Sequence, residues 1–478
     1  METLLWTGAR GLLFSLILTP ICRDIFRSYR VVDEPGEARK LHKTPVPRVG
    51  GLAIALSYVL AYLVSRDQAG IFAESNSLVW RLLPAAITVF AVGLVDDLIG
   101  LKPWQKLLGQ SVAAVMAYFA GVRILWGVGF DWGNVWAFPL TIFWLLLCTN
   151  AFNLVDGMDG LATGVGLFAT LTIFVSALFE NNQQLAMATL PLAMCLLGFL
   201  FFNYNPATIF LGDSGSLLLG FLLGCYGVIW GQKSATFLGM IAPMMVLAIP
   251  LLDVSLCVVR RFLRHRPIFG ADRGHIHHRL LDRGLAPRQA VLLIYAGCGL
   301  TAGFSLLQRV VHSPGLSVLL LVLFAVALWI GIQFLNYTEF GLARRLILGG
   351  ELQEVLNARM ALQGYERAVA AAATPEDCMR VIVDAGRALG FSSLRVSLMG
   401  LSGEEVFADA PADERWTATV PLPGSGFLEL TRKIPSPASA AVVAAFVEML
   451  HTVLTAKMAA LEATAVLAPA TPPSEPVR

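Results

Sequence analysis

Apolar residues fall in long blocks along this chain rather than in strict alternation. Eleven blocks reach or approach the roughly 20 residues that carry a helix across a bilayer. They are 4–22, 49–65, 81–98, 104–122, 135–152, 161–179, 185–203, 215–231, 236–259, 289–309 and 315–335. Short polar segments separate them, and after residue 336 the pattern changes. The blocks predict an all-α polytopic membrane protein of about 11 transmembrane helices, since in lipid a helix satisfies its own backbone polar groups. Composition agrees: 56% of residues are hydrophobic, 14% charged, and mean hydropathy is +0.68. The first block has an acidic residue before it and no small-residue cleavage site, so it is expected to be a retained helix, not a signal peptide. Seven cysteines form no CxxC pair and read as small buried hydrophobes.

Basic residues orient the chain. Loop 23–48 carries Arg23, Arg27, Arg30, Arg39, Lys40, Lys43 and Arg48, and loop 260–288 carries eight arginines. The opposite set of loops has only scattered charges. The positive-inside rule then puts the N-terminus outside, the C-terminus in the cytoplasm, and these basic loops on the cytoplasmic face. The net charge of +2 gives no reason to expect nucleic acid.

The expected organisation is a transmembrane domain over 1–337, a helical connector over 338–372, a small cytoplasmic α+β domain over 373–462 and a disordered tail over 463–478. Within the third part, 375–390 reads as an amphipathic helix opened by Pro375. Alternating stretches at 394–399, 416–422 and 427–431 read as strands, and 439–460 as a further helix. The strand–helix order resembles a curtailed GAF-type sensory domain but carries no ligand motif. A packing or oligomerisation module is the favoured reading.

Six aspartates interrupt the apolar pattern: Asp96, Asp97, Asp156, Asp159, Asp213 and Asp253. Carboxylates at membrane depth are expensive and mark ion, proton or substrate sites. Asp96 and Asp97 are adjacent at the end of a block, where like charge and the negative end of the helix dipole both disfavour them; a bound cation would relieve both. In Asn150-Ala-Phe-Asn153-Leu-Val-Asp156-Gly-Met-Asp159, the three-residue steps place four polar side chains on one wall. A plain turn is the alternative there. Gly212-Asp213-Ser214-Gly215-Ser216 opens a block; Asp213 or Ser214 is either an N-cap or part of an anion site where a carboxylate holds Mg²⁺ against phosphate. Arg273, His275, His277, His278 and Arg279 form a basic loop. Zinc is a weaker reading than phosphate there, because no cysteine or glutamate completes a tetrahedral set. Lys43 and Arg48 add to the phosphate-binding groups. Carboxylates for a divalent metal beside basic groups for phosphate point to phosphoryl transfer. An ion-coupled transporter is the alternative of another class, though transporter sites lie nearer the midplane; a membrane-anchored sensor is a third.

The series DEPGEARKLHKTPVPRVGG, GLVDDLIGLKP, NAFNLVDGMDGLATG, NPATIFLGDSGSLLLGF, IPLLDVSLCVVRR and DRGHIHHRLLDRG resembles the polyprenyl-phosphate N-acetylhexosamine-1-phosphate transferases over about residues 1–335. Within that superfamily it is similar to the WecA/TagO branch. The His-Ile-His-His order departs from the uninterrupted histidine run of MraY, the phospho-MurNAc-pentapeptide transferase, which stands as the runner-up. The resemblance implies a bacterial inner-membrane enzyme with its site facing the cytoplasm. It would use Mg²⁺, or Mn²⁺ in its place, to move a sugar 1-phosphate from a UDP-sugar to undecaprenyl phosphate, releasing UMP; a homodimer is compatible with it. By position it gives Asp96, Asp97 and Asp213 to the metal and catalysis, and His275 and His277 to catalysis. It also gives Asn153, Asp156, Asp159 and His278 to substrate, and the charge and spacing read above add Lys43, Arg48, Asn150, Arg273 and Arg279 as expected substrate contacts. Direct attack of the lipid phosphate on the β-phosphorus is the expected route, with an aspartyl-phosphate intermediate as its rival.

Overall fold

The computed structural model describes residues 2–33, 45–65, 77–124, 132–232, 240–263, 274–311, 313–335, 362, 364–398, 400–407, 415–422, 426–433, 446, 447, 453, 454 and 457. Lys43 and Arg273 lie outside them, as do the expected tail and most of the connector and of the 439–460 helix. The chain divides into two compact units, Met1–Asn336 and Tyr337–Arg478.

The first unit is helical: α1 (Glu2–Ser28), α2 (Gly50–Ser65), α3 (Leu78–Ile99), α4 (Pro103–Phe119), α5 (Trp132–Val155), α6 (Leu161–Phe179), α7 (Gln183–Asn203), α8 (Gly212–Gly231), α9 (Ile241–Val246), α10 (Ala248–Leu263), α11 (Ile276–Asp282), α12 (Pro287–Val310) and α13 (Pro314–Phe334). Eight of these are long and apolar enough to cross a membrane, among the described residues. The other expected spans are the shorter α2 and α4 and a broken pair, α9 and α10. The expectation of one continuous span over 236–259 is corrected by a break at Leu247. Pro250 explains it: proline has no N–H to give the carbonyl four residues back, and its ring crowds that carbonyl.

Helix α8 is the axis of this unit, with nearly every residue buried. Its small residues let neighbours close in, as helix packing in membranes requires. A Cβ on Gly220 would lie 2.6 Å from the Cys148 carbonyl oxygen of α5, and Trp144 of α5 donates its indole N–H to the Gly224 carbonyl at 3.0 Å. On the far side α7 contains Pro191, which leaves the Met187 carbonyl without its helical donor. The Tyr62 hydroxyl of α2 donates to that carbonyl. Tyr58, one turn away, bonds to the Ala188 carbonyl at 2.7 Å and to Tyr226 of α8 at 2.8 Å. This buried network satisfies the groups the proline exposes and ties α2, α7 and α8 together.

The second unit holds α14 (Pro375–Ala388) and a four-stranded antiparallel sheet of β1 (Ser393–Leu398), β2 (Leu401–Val406), β3 (Arg415–Leu422) and β4 (Gly426–Lys433), in the order β2-β1-β4-β3. Thr374 caps α14 by accepting the Asp377 N–H at 3.2 Å. The helix packs Cys378, Ile382 and Ala385 against Leu394, Val396, Leu428 and Leu430 of the sheet. Three strands match the sequence expectation within about two residues, the usual boundary tolerance. Strand β2 was not expected, because its Ser-Gly-Glu-Glu centre reads as a turn.

Candidate active site

The site is built around the start of α8. Residues 47–51 run alongside 210–211: Phe210 donates to the Pro47 carbonyl at 2.8 Å, Gly50 to Phe210 at 2.9 Å and Gly51 to Leu211 at 2.9 Å. Glycines permit the closeness. A Cβ on Gly51 would stand 2.2 Å from the Gly215 nitrogen, and one on Gly93 of α3 would stand 2.5 Å from the Asp213 carbonyl oxygen. Gly212 takes φ +73°, and a Cβ there would meet the Arg48 carbonyl at 2.3 Å and the Asp97 carboxylate at 2.7 Å. Three separate parts of the sequence thus converge on Asp213.

The carboxylates have distinct partners. Asp97 accepts the backbone N–H of Asp213 at 2.8 Å and that of Ser214 at 2.9 Å. It therefore caps α8 from another helix and supplies the negative charge that the helix dipole favours. The sequence reading of this N-terminus as a phosphate site is corrected accordingly: the anion seated on those two N–H groups is the protein's own. Asp96 accepts the Leu101 N–H at 2.7 Å through one oxygen and pairs with Lys106 at 2.5 Å through the other. The same ammonium lies 2.5 Å from Asp213 Oδ2, and Arg48 reaches to 3.6 Å from Asp213 Oδ1.

Lys106 escaped the sequence reading, where a lysine near the start of a span looks like an ordinary basic flank. Its one signal is position: it follows Asp96 by ten residues across a tight turn, on the first turn of α4.

Asp156 faces this cluster from the loop after α5. Burial, followed by the Asp213 carboxylate, pushes its pKa up to about 8, with Arg48 pulling the other way and Asp97 and Asp159 adding to the rise. Partial burial disfavours the Arg48 charge, but Asp213, Asp97, Asp33 and Asp156 outweigh it and raise its pKa. Asn153 donates to the Ser216 hydroxyl of α8 at 3.1 Å. Two members of the expected polar wall turn elsewhere. Asp159 accepts from Asn205 at 2.9 Å and the Ala207 N–H at 3.0 Å, anchoring the segment that leads to α8. Asn150 donates to Gln110 of α4 at 2.7 Å.

The histidines arrive on the short helix α11. A Cβ on Gly157 would stand 2.5 Å from His277 Nε2, so this ring rests on the loop bearing Asp156. Burial, then neighbouring His278, lowers the His277 pKa to about 3, which keeps the ring neutral. The rings of His275 and His277 are parallel with centroids 5.8 Å apart; His278 and Arg279 follow, half-buried.

Among the described residues, no three His, Cys, Asp or Glu side chains stand as a ready metal-binding group; Lys106 takes the place between Asp96 and Asp213. The donor chemistry nonetheless suits a hard divalent cation. The carboxylates of Asp96, Asp97 and Asp213, with Asp33 beside Arg48, outnumber the fixed cations Lys106 and Arg48, and Asp156 is a further oxygen ligand that a bound cation would help to ionise. Excess buried negative charge on oxygen ligands is what Mg²⁺ neutralises.

Fold and site together define a polytopic membrane protein with an acidic and basic centre at the end of its most buried helix. Residues 79–231, from α3 through α8, match glycosyl transferase family 4. The chain is 37% identical over 291 residues to a Bacillus subtilis protein named "Probable undecaprenyl-phosphate N-acetylglucosaminyl 1-phosphate transferase", covering 60% of this chain and 79% of the relative. It is 33% identical to the decaprenyl-phosphate N-acetylglucosaminephosphotransferase of Mycolicibacterium smegmatis, covering 66% and 84% respectively. The undecaprenyl-phosphate alpha-N-acetylglucosaminyl 1-phosphate transferase of Escherichia coli K12 is 28% identical, covering 63% and 82%. The chain belongs to this family, the polyprenyl-phosphate N-acetylhexosamine-1-phosphate transferases, on its WecA-like side.

Proposed function

We propose that the protein transfers N-acetylglucosamine 1-phosphate from UDP-N-acetylglucosamine to undecaprenyl phosphate, releasing UMP, as the first step of a cell-surface polysaccharide. The observation that carries this reading is Lys106 held between Asp96 and Asp213 with Arg48 alongside. Such a site offers fixed cations to phosphates and carboxylates to a metal, within a family whose relatives bear these names. A phosphate oxygen of the lipid attacks the β-phosphorus, and the bond from that phosphorus to the oxygen bridging to UMP breaks. The acceptor phosphate is already ionised near neutral pH, so positioning and charge neutralisation carry the rate. Lys106 and Arg48 draw the two anions together; Asp96 and Asp213 would hold Mg²⁺, which supplies further neutralisation of phosphate charge when bound. The neutral His277 ring over Gly157 closes the side of the site next to Asp156. The arginine-rich loops support a centre facing the cytoplasm from a bacterial inner membrane, the side on which UDP-sugars are made. The test is UMP release by the purified protein from a panel of UDP-sugars with undecaprenyl phosphate and Mg²⁺. UDP-N-acetylglucosamine should give UMP only when the lipid is present; release from none of the donors would overturn the reading.

A further inference from the structure

Asp253 is 2% exposed on α10, within an otherwise apolar run. A carboxylate so placed is tolerated only if its oxygens are fully engaged, and both are. Oδ1 accepts the Ile276 backbone N–H at 2.7 Å, and Oδ2 lies 3.1 Å from His275 Nδ1. Asp253 thus caps α11 from a separate helix and grips the side chain of its cap residue. With Nδ1 directed at the carboxylate, the orientation of the His275 ring is fixed. From there the contacts run toward the reaction centre: His275 lies parallel to His277, and His277 rests on Gly157 next to Asp156.

We infer that Asp253 is a positioning residue for the transfer reaction, fixing the orientation of His275 and through it the seat of His277 over the Asp156 loop. The inference rests on the transferase reading above. A simple helix anchor would affect only how much folded protein is present. A positioning residue lowers turnover in protein that is fully folded, since displacement of a catalytic group by about 1 Å costs on the order of a hundredfold.

The test is a double-mutant cycle on the full chain in lipid nanodiscs, with UDP-N-acetylglucosamine and undecaprenyl phosphate. Asp253→Asn keeps one oxygen for the Ile276 N–H and loses the acceptor for His275. His275→Asn keeps a donor toward Asp253 and removes the ring, so it serves even if Asp253→Asn folds poorly. The expected result is a kcat lowered roughly ten- to a hundredfold in each single variant, in line with loss of groups that orient histidines, with KM for undecaprenyl phosphate within about twofold. The double variant should be no worse than the poorer single, because both act along one route. Wild-type kcat in either single variant, multiplying losses in the double, or a loss matched by the unfolded fraction would overturn the inference. Absence of UMP release by the wild type would instead sink the transferase reading.

Discussion

Asp97 accepts the backbone N–H of Asp213 at 2.8 Å across 116 residues of sequence. The aspartate that faces Lys106 and Arg48 is therefore aimed by the neighbour of Asp96. Asp97→Asn replaces one acceptor oxygen with an NH₂ that opposes a backbone N–H. It should lower kcat by about a hundredfold, as expected when reacting groups shift by an ångström. Asp97→Ala leaves two buried donors unpaired and should also destabilise the fold, by about 1–3 kcal/mol for each. Thermal unfolding measured beside UMP release separates the two effects.

Lys106 offers the sharper test of the electrostatics. Lys106→Met leaves Asp96 and Asp213 facing each other without their shared ammonium and should abolish measurable turnover. Lys106→Arg should recover only part of it, because a planar guanidinium cannot sit as a point charge between two carboxylates. Equal activity of the arginine variant and the wild type would mean that charge alone matters there.

The glycine contacts predict a position-dependent tolerance. Gly51→Ala and Gly93→Ala would each drive a Cβ into the backbone at the start of α8, so both should cut folded yield and activity together. Gly303→Ala, with nothing within 4 Å, should be silent or slightly stabilising, since alanine is the better helix former. Size-exclusion profiles and UMP release on the three variants check this.

Tyr62→Phe removes the donor that the Met187 carbonyl needs next to Pro191. Stability should fall by about 1–3 kcal/mol with kcat close to wild type, read as a lower thermal midpoint.

Most of this architecture was visible in the pattern of apolar blocks, because bilayer thickness fixes how long a span must be. The Leu247 break was hidden since both sides are equally apolar; only Pro250 signals it. The aspartates stood out because charge is costly in such a chain. Their partners did not: Asp97 with Ser214, and Asp253 with Ile276, pair across long separations that no local spacing encodes. Asp159 and Asn150 show the converse. A three-residue step placed them on the wall with Asp156 and Asn153, but Asn205, Ala207 and Gln110, supplied by other segments, claim their polar atoms. In the C-terminal unit, β2 was missed because a solvated edge strand need not be apolar.

That unit has its own core of Ile382, Leu394, Val396 and Leu430, and the site residues all lie in the other unit. A chain ending near residue 345 should therefore keep transferase activity within a fewfold of the full chain, measured as UMP release in the same lipid mixture.

The most direct measurement follows the phosphorus atom. With UDP-N-acetylglucosamine labelled on its β-phosphate, undecaprenyl phosphate and Mg²⁺, the label should appear in the lipid product and the released UMP should carry none; Asp213→Asn should give neither. Label retained in released UDP, with unlabelled sugar on the lipid, would contradict transfer of the sugar phosphate.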